Sequence, residues 1–223
     1  MERDIVILAK SDKSSHYCVA GKDVNSGEWI RLGKWIKVGD KRHFVFIDDE
    51  MKYSDGTKCE ILDLVRVNCL DDDVGILHQP ENKFIDTSKQ FPLKKITKFT
   101  WDMIIDKYMD PLENNLLRMP LERSRVNVDY RDALNGHESL KLIEAKNIII
   151  YPIEEKHPKM EFTYLNYDGK ELRYKTTLTD PEYKNLREQR KVEKAYLVMS
   201  IGEEWKGYYY LLAAKLIIKN PLS

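Results

Sequence analysis

The chain has 223 residues, 33% of them charged and 42% hydrophobic, which suits one large or two small globular domains and excludes a disordered chain. Lys and Arg total 37 and Asp and Glu total 37, so a strongly basic protein that coats duplex nucleic acid without preference is excluded. Mean hydropathy is -0.55 and no apolar run approaches the roughly 18 residues of a membrane helix, so no membrane span is expected.

The chain opens Met1-Glu2-Arg3-Asp4 and enters the apolar run Ile5–Ala9. That run is too short, and its front too acidic, for a signal peptide, so a cytoplasmic location is expected. Ile5–Ala9 reads as a strand. His16–Gly21, the turn Asn25-Ser26-Gly27 and Glu28–Leu32 read as a hairpin. Glu60–Leu70 alternates and reads as another strand. Trp101, Ile104, Ile105 and Tyr108 fall at spacings of three and four behind Thr100, which predicts a short capped helix. Residues 109–136 carry Pro111, Pro120 and Gly136 and read as a connector, with a helical turn around Glu113–Arg118.

The second half repeats the style. Leu140–Tyr151 reads as a strand ending at Pro152. Glu161–Tyr167, Asp168-Gly169 and Lys170–Thr177 read as a hairpin. Thr179-Asp180-Pro181 is a helix start, and the charged stretch to Lys194 reads as that helix. Ala195–Ile201 and Tyr208–Ile218 form a closing hairpin around Gly202–Gly207. Five strands with a helix between the third and fourth match a small Greek-key barrel of the OB type, a pattern other small β-barrels share. The expected class is mainly β with short helices (α+β), in two tandem OB-like five-stranded barrels. Residues 1–110 make the first, 111–138 the connector and 139–223 the second.

Four stretches carry a more specific signal. They are Cys18-Val19-Ala20-Gly21 followed by Gly27–Arg31; His78-Gln79-Pro80-Glu81-Asn82; Thr179-Asp180-Pro181; and Ser200–Glu204 followed by Gly207–Tyr210. In that order they resemble the bacterial family of dual OB-fold domain proteins, over nearly the whole chain. The resemblance implies two tandem barrels and brings no established reaction with it.

Candidate chemistry follows from residue types on strands. Trp29, Arg31, Lys34 and Trp35 interleave aromatic and basic side chains, as a surface for single-stranded nucleic acid does: the ring stacks on a base and the cation meets phosphate. By the pleat, Trp29 and Arg31 share a face while Ile30 points to the core. The competing reading makes Trp29 core and Arg31 one half of a structural salt bridge. His78, Gln79 and Asn82 sit in a polar loop able to read base edges, or to tie the barrel together. Tyr164 with Arg173 and Lys175 offers a second stacking surface, or plain packing.

Catalysis has no signature: the chain lacks Gly-x-Ser-x-Gly, a phosphate loop and Gly-x-Gly-x-x-Gly. Cys18, Cys59 and Cys69 include no Cys-x-x-Cys pair, so neither zinc nor a disulfide framework is expected. Asp71-Asp72-Asp73 is a weak divalent-ion candidate that reads better as a solvated turn. The expected function is a non-enzymatic, cofactor-free nucleic-acid-binding module for single-stranded or structured DNA or RNA. The rival is a module that recognises a protein or a small ligand in the cleft between barrels.

Overall fold

The computed structural model describes residues 1–13, 16–46, 48–70, 72, 74–76, 78–88, 91–110, 125–127, 138–154, 156–166, 168–202, 204 and 206–218. The chain divides into two compact units, Met1–Ile76 with Glu81–Tyr108, and Leu77–Pro80 with Met109–Ser223.

The first unit contains β1 (Glu2–Lys13), β2 (His16–Asp23), β3 (Trp29–Val38), β4 (Lys41–Val45), β5 (Asp63–Asn68), β6 (Asn82–Phe84), β7 (Leu93–Lys98) and α1 (Trp101–Tyr108). β1 pairs antiparallel with β2 on one side and β5 on the other, so its centre is buried on both faces. A central strand of that kind reads as an unbroken apolar run, which Ile5–Ala9 is. β2 pairs with β3, and β3 pairs parallel with β6 through Arg31↔Asn82 to Gly33↔Phe84. The bridge Cys69↔Ile85 then ties the β6 end back to the β5 end, closing the sheet into a barrel. Ile5, Ile7, Val19, Ile30, Leu32, Val65 and Val67 fill the interior at period two.

Local chemistry sets the corners. Asp23 Oδ1 accepts the backbone N–H of Asn25 and of Ser26, and Gly27 takes φ +76°, so the chain turns between β2 and β3. α1 is the predicted helix: Thr100 Oγ1 accepts the N–H of Met103, and Ile104 and Tyr108 face inward. Gly21 is required by a close approach. A Cβ there would lie 2.0 Å from the carbonyl oxygen of Val6, which is backbone and cannot swing away. Gly21→Ala is therefore expected to destabilise the first unit by about 1–3 kcal/mol. A lowered urea midpoint followed by tryptophan fluorescence checks this; an unchanged midpoint refutes the close approach.

The second unit contains β8 (Arg125–Asn127), β9 (Leu140–Tyr151), β10 (Lys159–Leu165), β11 (Glu171–Leu178), β12 (Arg190–Ile201) and β13 (Tyr208–Ile217). β9 pairs with β10 and β12, β10 with β11, and β12 with β13. The parallel pairing Thr177↔Leu212 and Leu178↔Ala213 closes β11 onto β13. The core takes Ile143, Ile148, Ile150, Met160, Phe162, Tyr164, Tyr174, Leu197, Met199 and Leu211. Asp180 makes the corner: its carboxylate accepts the N–H of Glu182 at 3.2 Å and of Leu216 at 3.1 Å, and Lys215 Nζ lies 3.2 Å away.

Several expectations change. The stretch after Asp180 is one 3-10 turn, Pro181–Tyr183, not a helix to Lys194. From Arg190 the chain pairs with β9, and this long-range ladder overrides the charged, helix-like local sequence. Its charges belong to a strand whose first half faces outward. The strand expected over Glu60–Leu70 shortens to Asp63–Asn68, because Leu62 takes φ +71° and breaks the extended backbone before it. Strands β4, β6 and β7 were not legible: β6 is three residues long, and β7 is exposed at all but its first position. The helical turn expected at Glu113–Arg118 lies outside the described residues, as does the connector 111–138 apart from Arg125–Asn127 and residue 138. Of the Asp71–Asp73 run only Asp72 is described. No helix among the described residues is long and apolar enough to cross a membrane.

Candidate nucleic-acid interface

The first surface suggested by the sequence is not a surface. Trp29 and Arg31 do share a face, opposite Ile30, but they are 2% and 4% exposed. Lys22 Nζ lies 5.2 Å from the Trp29 ring centre. Arg31 donates through Nε and Nη2 to Glu81 Oε1, at 3.3 and 3.0 Å, and its backbone N–H donates to the Glu81 carbonyl. Lys22, and Glu81 just before β6, therefore occupy the face that the pleat assigned to a ligand. Trp29 is core, and Arg31 closes a structural salt bridge.

The polar loop is also spent on structure. His78, Gln79 and Asn82 are all buried. The His78 ring stacks 4.2 Å from the ring of Tyr209, and Gln79 Nε2 donates to the Ile201 carbonyl at 2.7 Å, both within the second unit. Asn82, in the first unit, sits in the parallel ladder opposite Arg31. Tyr164 is 2% exposed and packs in the second core against Phe162, so it offers no stacking surface.

Two pieces of the expected chemistry do reach solvent. In the first unit, Trp35 is half-buried at the β3–β4 hairpin, edge-on to Phe44 at 5.7 Å, with the Arg42 guanidinium 5.1 Å from its ring centre. Lys34, on the opposite side of β3, pairs with Glu50. In the second unit, Arg173 and Lys175 are exposed on β11.

Register shows what accompanies Arg173 and Lys175. Residues directly opposite one another on neighbouring strands share a face. Lys175, Glu161, Ile149 and Lys191 form one row across β11, β10, β9 and β12. Arg173, Thr163, Lys146 and Lys194 form the next. Thr177, Lys159 and Tyr151 form a third. Every residue in these rows is exposed or half-buried, so this is the outer face of the barrel.

It gathers six cations; Glu144, Glu161 and Glu171 lie among them, and the exposed Glu193 sits between Lys191 and Lys194 on β12. Glu161 pairs with both Arg173 and Lys175, and Glu144 with both Lys194 and Lys146. These two carboxylates are thus each shared between two cations. Lys175 first, and then Arg173, hold the Glu161 carboxyl below the usual glutamate value through hydrogen bonds. Burial, and then the neighbouring Lys175, hold Lys159 below the usual lysine value. That second effect is like-charge crowding, which a bound anion relieves. The aromatic part is Tyr151, half-buried in the third row, with Lys175 Nζ 5.6 Å from its ring centre.

Lys146, Tyr151, Lys159, Lys191 and Lys194 were missed in the sequence. The alternation Arg173-x-Lys175 on a hairpin was a usable signal. The other cations lie on strands whose register the local sequence does not contain.

No curated protein and no solved structure matches the chain. The family model described as the dual OB-containing domain matches residues 3–216. With two barrels, each closed by a parallel pairing of an early strand with a later one, and a match over nearly its full length, the chain belongs to the dual OB-containing domain family.

Proposed function

We propose that the chain is a nucleic-acid-binding module that takes a single strand across the outer face of β9–β12. The observation that carries this reading is the set of cations in register rows beside Tyr151. Phosphates meet the lysines and Arg173, while a base stacks on the exposed part of the tyrosine ring. Counted from β9, β10 and β11 are the second and third strands of their barrel, the face that OB folds use for oligonucleotides. That support is an analogy of fold; the charge arrangement is this chain's own. The Trp35–Arg42 pair of the first unit has the same chemistry at smaller scale.

The test is a titration of labelled oligothymidylate at two salt concentrations. Wild type is expected to bind at micromolar protein in low salt and to weaken as salt rises, because cations on phosphate release counterions. Lys175→Ala with Lys191→Ala should flatten the log–log salt slope by about 0.7 for each phosphate no longer neutralised, with an unchanged melting curve. Absence of binding in low salt overturns the reading. Neutral overall charge then favours the rival, a module for a protein or small-ligand partner.

A further inference from the structure

A cavity of about 890 Å3 opens in the second unit, outside the rows of the basic face. Two connectors line it: the one that leaves β9 at Tyr151 and reaches β10 at Lys159, and the one that follows the 3-10 turn and reaches β12 at Arg190. The cavity therefore lies where Tyr151, Lys159 and Arg190 end their strands, at the margin of the face proposed to bind a strand.

Its lining is unlike a packing defect. Lys156, His157, Lys184 and Arg187 bring basic nitrogen from both connectors, and Glu154 is the one carboxylate in the described lining. Ile153 and Leu186 supply apolar wall, and Asn185 an amide with both donor and acceptor capacity. Ligand pockets run to about 300–1,000 Å3, so the volume suits a small molecule of nucleotide size. Lysine and arginine meet a phosphate with charge-assisted hydrogen bonds, an apolar wall receives a ring face, and an amide matches the edge of a base.

We propose that this cavity binds one phosphorylated nucleotide, either the phosphorylated end of a strand lying on the basic face or a free nucleoside monophosphate. The assignment of the strand end rests on the function proposed above; the pocket chemistry is independent of it. The phosphate sits among Lys156, Lys184 and Arg187, and the base lies against Leu186 and Ile153.

The test uses the whole chain and two arms. In the first, adenosine 5′-monophosphate, adenosine and inorganic phosphate are titrated calorimetrically. The monophosphate should bind at least about tenfold more tightly than adenosine, the order expected of charge-assisted bonds to phosphate. Lys156→Glu with Arg187→Glu should abolish that binding, whereas Lys175→Ala with Lys191→Ala should leave it. Both cavity positions are exposed. Lys156→Gln with Arg187→Gln serves as a milder second variant if the double reversal shifts the melting curve. In the second arm, oligothymidylate carrying a 5′-phosphate, a 3′-phosphate or neither is compared. A gain of about tenfold for one terminal phosphate identifies the strand end as the source. Monophosphate binding without such a gain identifies the free nucleotide. If the monophosphate does not bind and terminal phosphates change nothing while the strand still binds, the cavity assignment is overturned and the strand reading stands. If the monophosphate binds and no strand does, the strand reading falls and the pocket stands.

Discussion

Glu81→Ala is expected to lower the unfolding free energy of the first unit by about 3–5 kcal/mol, because it leaves the Arg31 guanidinium buried without its carboxylate. The side chains are 5% and 2% exposed, so water cannot replace the lost partner without opening the β3–β6 pairing. The companion variant carries the sharper information. Replacing both partners, Arg31→Met with Glu81→Leu, removes the desolvation cost of two ions along with their attraction. That double variant should come out close to neutral, or more stable by about 1–4 kcal/mol. Three of the four tryptophans, Trp29, Trp35 and Trp101, lie in the first unit, so their fluorescence in urea follows its unfolding. A double variant as unstable as Glu81→Ala would mean that the pair is held for more than its burial.

Asp180→Ala is the second large effect, expected at about 3 kcal/mol, near the low end for a broken buried pair. Asp180 is 1% exposed and accepts from Lys215 Nζ and from the N–H groups of Glu182 and Leu216. Lys215 would keep Glu182 as a partner at 2.6 Å, and this limits the loss. The pH dependence has a definite sign. Burial holds the Asp180 carboxyl above the usual aspartate value, against the opposing pull of Lys215 and of the two N–H groups. A carboxyl raised by folding binds its proton more tightly in the folded chain. The stability it contributes is fully present below the unfolded value of about 3.9 and is lost as pH rises through the folded value. Asp180→Asn cannot titrate. Wild type should therefore gain on Asp180→Asn as pH is lowered from neutral to about 4. Urea midpoints by far-UV circular dichroism at the two pH values check this, and a gap that narrows on acidification contradicts it. The Glu161 and Asp4 carboxyls, both lowered by cation partners, act in the opposite direction, but they are common to both proteins and cancel in the difference.

Much of the fold was legible because its signals are local. Asn25-Ser26-Gly27 and Asp168-Gly169 announced their hairpins, and Thr100 with the Trp101–Tyr108 spacing announced α1. The pleat correctly sent Ile30 inward and put Trp29 and Arg31 together on the other side. It could not say that this other side is occupied, because the Glu81 carboxylate that meets Arg31 arrives 50 residues later in the chain. The same limit hid most of the basic face. Arg173 and Lys175 alternate within one strand and could be read there. Lys191 and Lys194 sit in a charged run with helical composition, and only their pairing with Ile149 and Lys146 makes them part of a sheet. The stretches that carried the family resemblance are largely structural. Gly21 permits a close crossing, Arg31 and Glu81 pair, and Asp180 ties a corner. They identify the family because they build the barrels.

The parallel pairing of β11 with β13 also bears on how the chain is made. Translation delivers β9 to β12 in order, each able to pair with a strand already present, yet the second sheet stays open until β13 emerges. Until then β11 and β12 carry unpaired edges, and Leu197, Met199 and Ile201 lack the wall formed by Leu211 and Ala213. Such a nascent intermediate presents a sticky open sheet, a template for pairing with other chains. A chain cut off before Tyr208 should collect in the insoluble fraction instead of folding as a smaller domain. The slow, long-range closing step makes the last strand the point at which the second barrel becomes safe from aggregation.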